Sequence, residues 1–525
     1  MNPKLTLISL TLIFLILTGC GKKQQSGFPA PSPQAFDGAF VSVSDSILIG
    51  SSKYAVDYGT LTVRENRRQP NSRFIHLPVK RIRSSSPAPL EPVFYFAGGP
   101  GRGNMEHIGN MWYLVPQHDV VLVGFRGVDG ASVLDCPTVK KAMHGKGGLF
   151  TPKSMNRIQH AWSADAQRLI ARGVDLDGYT MPEVVGDVEL ARQALGYERI
   201  NLKSASYGTR VAQLYAYMHP ESINRSVMVA VNPPGRFVWE PDVIDRQLHA
   251  YADLWARDSL AAMRSSDLYA TITDVLDNMP SHWLFFPIDE GKVKCVAFCL
   301  FFQNTSAALV FNCFVAGDHG DYSGLAAMSL AYDFVLPGMF TWGDLASKAV
   351  SADYDPNRDY MTEMQPKDKP LGAPMSVLLW GPLKPGTWPI RSIPGEYKHP
   401  RYTDVSTLLV SGSIDAGTPT EFATNDLLPY LNNGRQIIIA ECGHMDIESI
   451  QAKNFQRIVT SFYATGEPDT SLNTYQPMDF RVEWGFPRLM RFALVAIAFI
   501  LILLTGLVML ITWAVRKLRQ NQKKG

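Results

Sequence analysis

The chain has 525 residues, with 50 basic and 48 acidic side chains and a formal net charge of +2. That length allows one large core, or a core with an insertion, and the near balance of charge excludes an electrostatic case for binding nucleic acid. The composition is that of a globular protein with added apolar segments at its two ends.

The first apolar segment opens the chain. Lys4 precedes an uncharged run over 5–18 that is short for a bilayer span and has the form of a signal peptide. The run ends in Leu17-Thr-Gly-Cys20, which resembles a bacterial lipobox. Residues 1–20 are therefore expected to be a signal peptide with Cys20 lipidated; a plain signal peptide, or an anchor with an incidental cysteine, is the alternative. Residues 21–57 read as a tether and N-terminal segment, rich at first in Gln, Ser and Pro. Residues 59–63 and 74–79 read as two early strands, 92–97 as a buried strand that runs into Gly98-Gly-Pro-Gly101, and 120–123 as another. A helical stripe over 181–195 is followed by a strand at 200–203, a helix at 211–218 and a strand at 225–231.

The alternation pauses after 235 in a stretch rich in aromatics, Met and Pro, mainly helical over 243–276. It resumes with a strand at 407–410, a helix at 422–431, a strand at 436–440 and a helix at 446–464. Alternating short apolar strands and helices predict an α/β protein with a mostly parallel central sheet and helices on both faces. The expected organisation is a core in two parts, 58–235 and 405–470, interrupted by a mainly helical cap over 236–404. A linker over 471–491 leads to an uncharged run at 492–515, which as a helix is about 36 Å long and reaches across a bilayer. The basic tail, 516–525, carries more cations than the flank holding Arg488 and Arg491, which predicts a cytoplasmic C-terminus and a body outside the cytoplasmic membrane. Apart from Cys20 there are five cysteines, Cys136, Cys295, Cys299, Cys313 and Cys442. An odd number leaves at least one unpaired within the chain, and the pairing of the others stays open. No Cys-x-x-Cys occurs, so Cys295 and Cys299 read as packing residues or a bridge rather than metal ligands.

Three loops carry the chemistry. Ser204-Ala-Ser206-Tyr-Gly208 lies between a strand and a helix and resembles the Gly-x-Ser-x-Gly elbow of α/β-hydrolases, with a serine in place of the first glycine. Ser206 holds the central position; Ser204 competes but lacks the glycine two residues on. A serine hydroxyl needs a base, and the base needs an orienting acid. Asp415 follows the strand at 407–410 and His444 follows the strand at 436–440, in the order Ser, Asp, His. Asp404, Asp426 and Asp446 are rival acids at less suitable distances. The loop at Gly98, Gly99 and Gly101 lets backbone approach closely, so the amides of Gly99 (or Gly98) and Tyr207 are the expected oxyanion donors. Gly98-Gly-Pro-Gly-Arg-Gly103 also loosely resembles a dinucleotide loop, but no acid ends the next strand and no Gly-Lys-Ser/Thr of a P-loop is present. No metal or cofactor is expected.

Together these residues resemble the proline iminopeptidase and tripeptidyl aminopeptidase-like group of α/β-hydrolases. The likeness runs over about 58–468 without most of the cap. It rests on Tyr58-Gly-Thr-Leu-Thr-Val63, Phe96-Ala-Gly-Gly-Pro-Gly101, Asp119-Val-Val-Leu-Val-Gly-Phe-Arg-Gly127, Ser132, Cys136-Pro137, Asp187 to Gly196, Ser206-Tyr-Gly-Thr-Arg210, His219-Pro-Glu221, Asn232-Pro-Pro234, Ser411-Gly-Ser-Ile-Asp415 and Gly443-His444. It departs at Ser204 and at Phe125-Arg-Gly-Val-Asp-Gly-Ala-Ser132. The resemblance implies the α/β-hydrolase fold, a serine peptidase that releases residues or short peptides from free N-termini, and Ser206, Asp415 and His444 as nucleophile, acid and base. A membrane-associated carboxylesterase or lipase-like enzyme, and a non-catalytic exported binding protein with a hydrolase shell, are the alternatives. The expected substrate is a peptide or a small ester or amide, met at a bacterial cell envelope by a body anchored through lipid and helix. An exopeptidase of this kind must neutralise a cationic amine near the scissile carbonyl, which directs attention to Glu240, Asp242, Asp245, Asp253 and Asp258 after Pro234.

Overall fold

The computed structural model describes residues 27–34, 36–49, 52–105, 111–145 and 147–522. The expected signal peptide, Cys20 and the first residues of the tether lie outside the described residues, as do Lys523 and Lys524 of the basic tail.

Among the described residues eleven strands form, and nine of them make one sheet. In chain order they are β1 (Phe40–Ile49), β2 (Ser52–Arg64), β3 (Phe74–Ile82), β4 (Leu90–Phe96), β5 (His118–Val123), β6 (Ile200–Ala205), β7 (Ile223–Val229), the short pair β8 (His282–Trp283) and β9 (Phe286–Pro287), β10 (Thr407–Gly412) and β11 (Gly434–Ile439). The large sheet runs β1-β2-β3-β5-β4-β6-β7-β10-β11. Pairings from β1 to β5 through β2 and β3 are antiparallel, and all those from β5 to β11 are parallel. The parallel half is the expected one, and its strands read as continuous apolar runs because helices cover both faces.

β1 is a correction. The sequence reading gives 21–57 as a tether and N-terminal segment without a strand, yet β1 forms in it and pairs with β2 over its whole length. Its alternating Phe-Val-Ser-Val-Ser-Asp-Ser suits an edge strand whose outer face meets water. Two later elements also differ. The helix expected at 422–431 is a π-helical turn, Phe422–Leu427, then a 3₁₀ turn, Leu428–Tyr430, where Pro429 removes an amide donor. The helix expected from 446 begins at Ala452 and ends at Thr465. Helix Pro152–Ala171 goes beyond the sequence reading, although its start signal is present: the Thr151 side chain accepts from the Ser154 amide, and Pro152 opens the first turn.

Between β7 and β10 lie helices Pro241–Arg257, Leu268–Asp277, Glu290–Leu300, Asn304–Asp318, Ser323–Val335, Trp342–Asp353 and Pro374–Trp380. Their buried residues, among them Trp255, Phe311, Trp342 and Trp380, join those of the sheet in one continuous apolar core. Cys136, Cys295, Cys299, Cys313 and Cys442 are all free thiols, so packing rather than a bridge accounts for them. Helix Phe486–Gln522 projects from the body with its apolar side chains exposed, and it is long and apolar enough to cross a membrane.

Candidate active site

β6 delivers Ser206 to a corner. The strand ends at Ala205 and helix Tyr207–Met218 starts one residue beyond Ser206. Ser206 has φ 52 and ψ −124, a conformation that costs a non-glycine residue about 1–3 kcal/mol. The corner is pinned from both sides: the Ser206 amide donates to the Val229 carbonyl at 2.8 Å, and Thr209 donates to the Ser206 carbonyl through its amide at 2.9 Å and its hydroxyl at 2.6 Å. Gly208 is required by space, because a Cβ there would stand 2.1 Å from the Phe96 carbonyl oxygen. Ser204 fills the place of the missing glycine. It is buried, and its hydroxyl donates to the Val227 carbonyl at 3.2 Å, whereas Ser206 is only half-buried.

The glycine loop after β4 lies against that corner. A Cβ on Gly98 would stand 2.9 Å from Ser206 Cβ and 3.6 Å from Ser206 Oγ. Gly99 and Gly101 have φ of +79 and +82. The amides of Gly98, Gly99 and Tyr207 donate to no described residue, so they remain available to an outside acceptor. Residues that the sequence reading missed hold the loop in place. Asn104 accepts the Ala97 amide and donates to the Tyr95 and Val123 carbonyls, each at 2.9 Å. Asp344, on helix Trp342–Asp353, accepts the Gly101 amide at 3.1 Å, while Thr341 donates its amide to the Gly101 carbonyl at 2.8 Å. Asp344 and Lys348 form a fully buried ion pair behind the loop at 2.5 Å. Burial pushes the carboxyl up and the amine down, and the contact between them opposes both shifts.

Asp415 and His444 meet in the loops after β10 and β11. His444 Nδ1 is 2.9 Å from both carboxylate oxygens of Asp415. An ionised carboxylate only accepts, so Nδ1 carries the proton and Nε2 is left as the basic nitrogen. Asp415 is fully buried and also accepts the Gly417 and Thr418 amides at 2.8 Å and the Thr418 hydroxyl at 2.9 Å. The Phe302 ring meets His444 edge to face at 4.7 Å between centroids. The histidine loop is tied to neighbours by Met445, whose amide donates to the Phe302 carbonyl at 2.7 Å, and by Asp446, which accepts the Asn304 amide at 2.8 Å. Burial raises the Asp446 carboxyl above its usual range. Lys203, fully buried in β6, is neutralised by Glu448 at 2.8 Å, which links the elbow strand to the histidine loop.

The structure thus brings Gly98 to Ser206 and Asp415 to His444. Ser206 Oγ makes no hydrogen bond to His444; such contacts commonly tighten only around bound substrate. The rival acids have other partners: Asp404 accepts from Asn432, Asp426 pairs with Arg236, and Asp446 holds the two amides of Asn304 and Gly443. Among the described residues no group of three or more His, Cys, Asp or Glu could hold a metal ion.

A mostly parallel sheet whose central strand turns sharply into a helix at a half-buried serine is the α/β-hydrolase fold, and residues 91–278 match the family described as alpha/beta hydrolase fold. Along more of its length the chain is similar to a tripeptidyl aminopeptidase of Streptomyces lividans, 23% identical over 465 residues that cover 80% of this chain and 84% of that one. It is also similar to a tripeptidyl aminopeptidase of Streptomyces coelicolor, 24% identical over 299 residues, covering 50% and 53%. Among solved structures, a serine hydrolase from Cycloclasticus zankles aligns over 81% of this chain and 99% of its own at 12% identity, with a TM-score of 0.33.

Proposed function

We propose that this hydrolase is a serine aminopeptidase that works through an acyl-enzyme and releases N-terminal residues or short peptides. The observation that carries the serine chemistry is Ser206 held at positive φ beside Gly98, with a paired Asp415 and His444 on the loops of the same sheet edge. In this reading Ser206 Oγ attacks the scissile carbonyl while His444 Nε2 takes its proton. The amides of Tyr207 and of Gly99 (or Gly98) face the oxyanion, and Asp415 stabilises the imidazolium. His444 returns the proton to the leaving amine, and water then cleaves the acyl-enzyme by the same route. No cofactor is needed. The peptidase reading comes from the two tripeptidyl aminopeptidase relatives. The body is proposed to lie on the extracytoplasmic side of a bacterial membrane, held by helix Phe486–Gln522 and by a lipid on Cys20.

The acids expected to receive the amine are accounted for differently. Glu240 pairs with Arg358 at 2.8 Å, Asp242 with Lys369 at 3.0 Å, and Asp245 accepts the Tyr269 hydroxyl at 2.9 Å. Asp258 caps the helix Ser259–Ala262, and Asp253 is exposed. None is a buried carboxylate awaiting a cation. The rings of Trp239, Phe298 and Phe302 instead form a row that ends at His444, with centroids 5.2, 5.4 and 4.7 Å apart. Phe298 is buried in the core, so this row packs behind His444; the second reading, an esterase or lipase-like hydrolase, rests on the lack of a buried carboxylate among those acids. A binding protein without chemistry is the weakest reading, since nothing in it would repay the strained Ser206.

Two measurements separate the three. A fluorophosphonate probe labels an activated serine and leaves a mere shell unlabelled. A peptide arylamide with a free amine, its N-acetylated twin and a short-chain ester then divide peptidase from esterase. The aminopeptidase reading expects acetylation to cost about tenfold or more in kcat/KM. Equal rates on the two arylamides, or turnover of the ester alone, would decide for the esterase.

A further inference from the structure

The sequence reads as a linker over 471–491, but its first part is a strap laid on the body. Met478 and Phe480 are buried. The Phe480 ring packs on Trp255 and Phe311, at 5.2 and 6.2 Å between centroids, and Arg264 donates to its carbonyl at 3.3 Å. Upstream, the Thr474 amide donates to the Gln451 side chain at 3.0 Å.

The strap reaches the site through one carboxylate. Glu441 accepts the Met478 amide at 2.7 Å on one oxygen and the Tyr475 hydroxyl on the other. Glu441 opens the stretch Glu441-Cys-Gly-His444 and stands at φ 52, a conformation a non-glycine residue keeps only when its surroundings impose it. Its own amide donates to Ser413 Oγ at 2.8 Å, on the loop that carries Asp415, and its carbonyl accepts from the Asn304 side chain at 2.5 Å. A strained residue just ahead of His444 is therefore gripped at three points, and the strap supplies the grip on the side chain.

We propose that Glu441 is a positioning residue for His444, and that the strap over 471–480 completes the catalytic site by holding Glu441. The inference rests on the reading of His444 as the base. Without its two donors Glu441 keeps only its backbone anchors at Ser413 and Asn304, and any relaxation of its positive φ against them swings the chain that leads to His444. A base displaced by about an ångström costs on the order of 10²-fold in rate, and the surviving anchors at Met445 and Asp446 limit the movement to part of that. The segment that joins the body to the membrane-length helix is on this account part of the catalytic apparatus.

The test uses the full chain in detergent and three variants: Glu441→Gln, Tyr475→Phe and the double. Two quantities are read: the rate of fluorophosphonate labelling at Ser206, and kcat and KM with whichever arylamide or ester is turned over. Glu441→Gln is expected to slow labelling and kcat by about tenfold or more while KM stays within about twofold. Tyr475→Phe, which removes one exposed hydroxyl and does not threaten the fold, is expected to give a smaller loss in the same direction. The double should be no slower than Glu441→Gln, because both changes cut the same link. Unchanged labelling and kcat in both single variants, with only a lower unfolding temperature, would overturn the proposal and leave the strap as ordinary packing. If the wild-type chain labels at Ser206 and the variants match it, the strap idea alone fails. If the wild-type chain does not label, the reading of the site fails and takes this inference with it.

Discussion

Ser206 and Ser204 are separated by one residue and by every property that matters to a nucleophile. Ser204 is buried with its hydroxyl engaged, and Ser206 stands at the corner with its hydroxyl uncommitted. On the proposed reading of Ser206 as nucleophile, Ser206→Ala is expected to lower kcat by about 10⁴-fold or more, the loss a serine triad suffers, with little change in unfolding temperature. Ser204→Ala should cost far less activity, and the reverse ranking would show that the elbow has been misplaced. A different kind of loss is expected at Asp344. Its partner Lys348 is fully buried, so Asp344→Ala strands a charge without a counter-ion. The expected cost is about 3–5 kcal/mol of stability, read from the denaturant midpoint, with a further loss of kcat because the Gly101 amide loses its acceptor. Loss of activity with unchanged stability would mean that the pair serves the loop alone.

At the level of elements, the antiparallel edge of the sheet depends on Asp57. In the register Asp57 stands opposite Ser44 of β1 and Arg81 of β3. It accepts from Ser44, Arg81 and Arg83, each at 2.7 Å. Burial pushes its carboxyl up, but hydrogen bonds from Arg83, Ser44 and Arg81 outweigh that and leave it at about 2. A carboxyl lowered by folding stabilises the folded state above its ordinary value, and that contribution is lost as pH falls toward the folded value. Asp57→Asn should therefore unfold at a lower temperature than wild type near neutral pH, and the gap should close between about pH 4 and pH 2. A gap that stays constant over that range would assign the effect to packing. β1 itself was legible only as alternation: its polar, water-facing half carries no apolar run to announce a strand.

The whole molecule is a body of α/β-hydrolase fold rooted on a long apolar helix. That helix begins against the body, where Arg491 lies 3.5 Å from Asp321, and a Cβ on Gly324 would meet Pro487 Cγ at 2.8 Å. Only glycine permits that approach, so the root of the helix is seated rather than tethered. The chain is expected to stay in the membrane fraction through an alkaline wash and to leave it in detergent, with or without Cys20→Ala. Release of Cys20→Ala by the wash alone would show that Phe486–Gln522 does not span.

What the sequence determined by itself is local. Strand periodicity, a serine and a glycine at a corner, an acid and a histidine each just after an apolar run, and 24 uncharged residues at 492–515 are all written in neighbouring positions. They were legible because hydrophobic pattern and turn chemistry act over a few residues. The tertiary structure alone decided what surrounds them. Asp344 reaches Gly101 across 243 positions, and Arg358 reaches Glu240 across 118, so Glu240, which looked available for an amine, is in fact engaged. The strap at Tyr475 and Met478 reads as a polar linker because its burial depends on Trp255, Phe311 and Glu441, which the fold brings to it from elsewhere. A hydrogen bond or ion pair is set by where two side chains end in space, and no local pattern encodes the far partner.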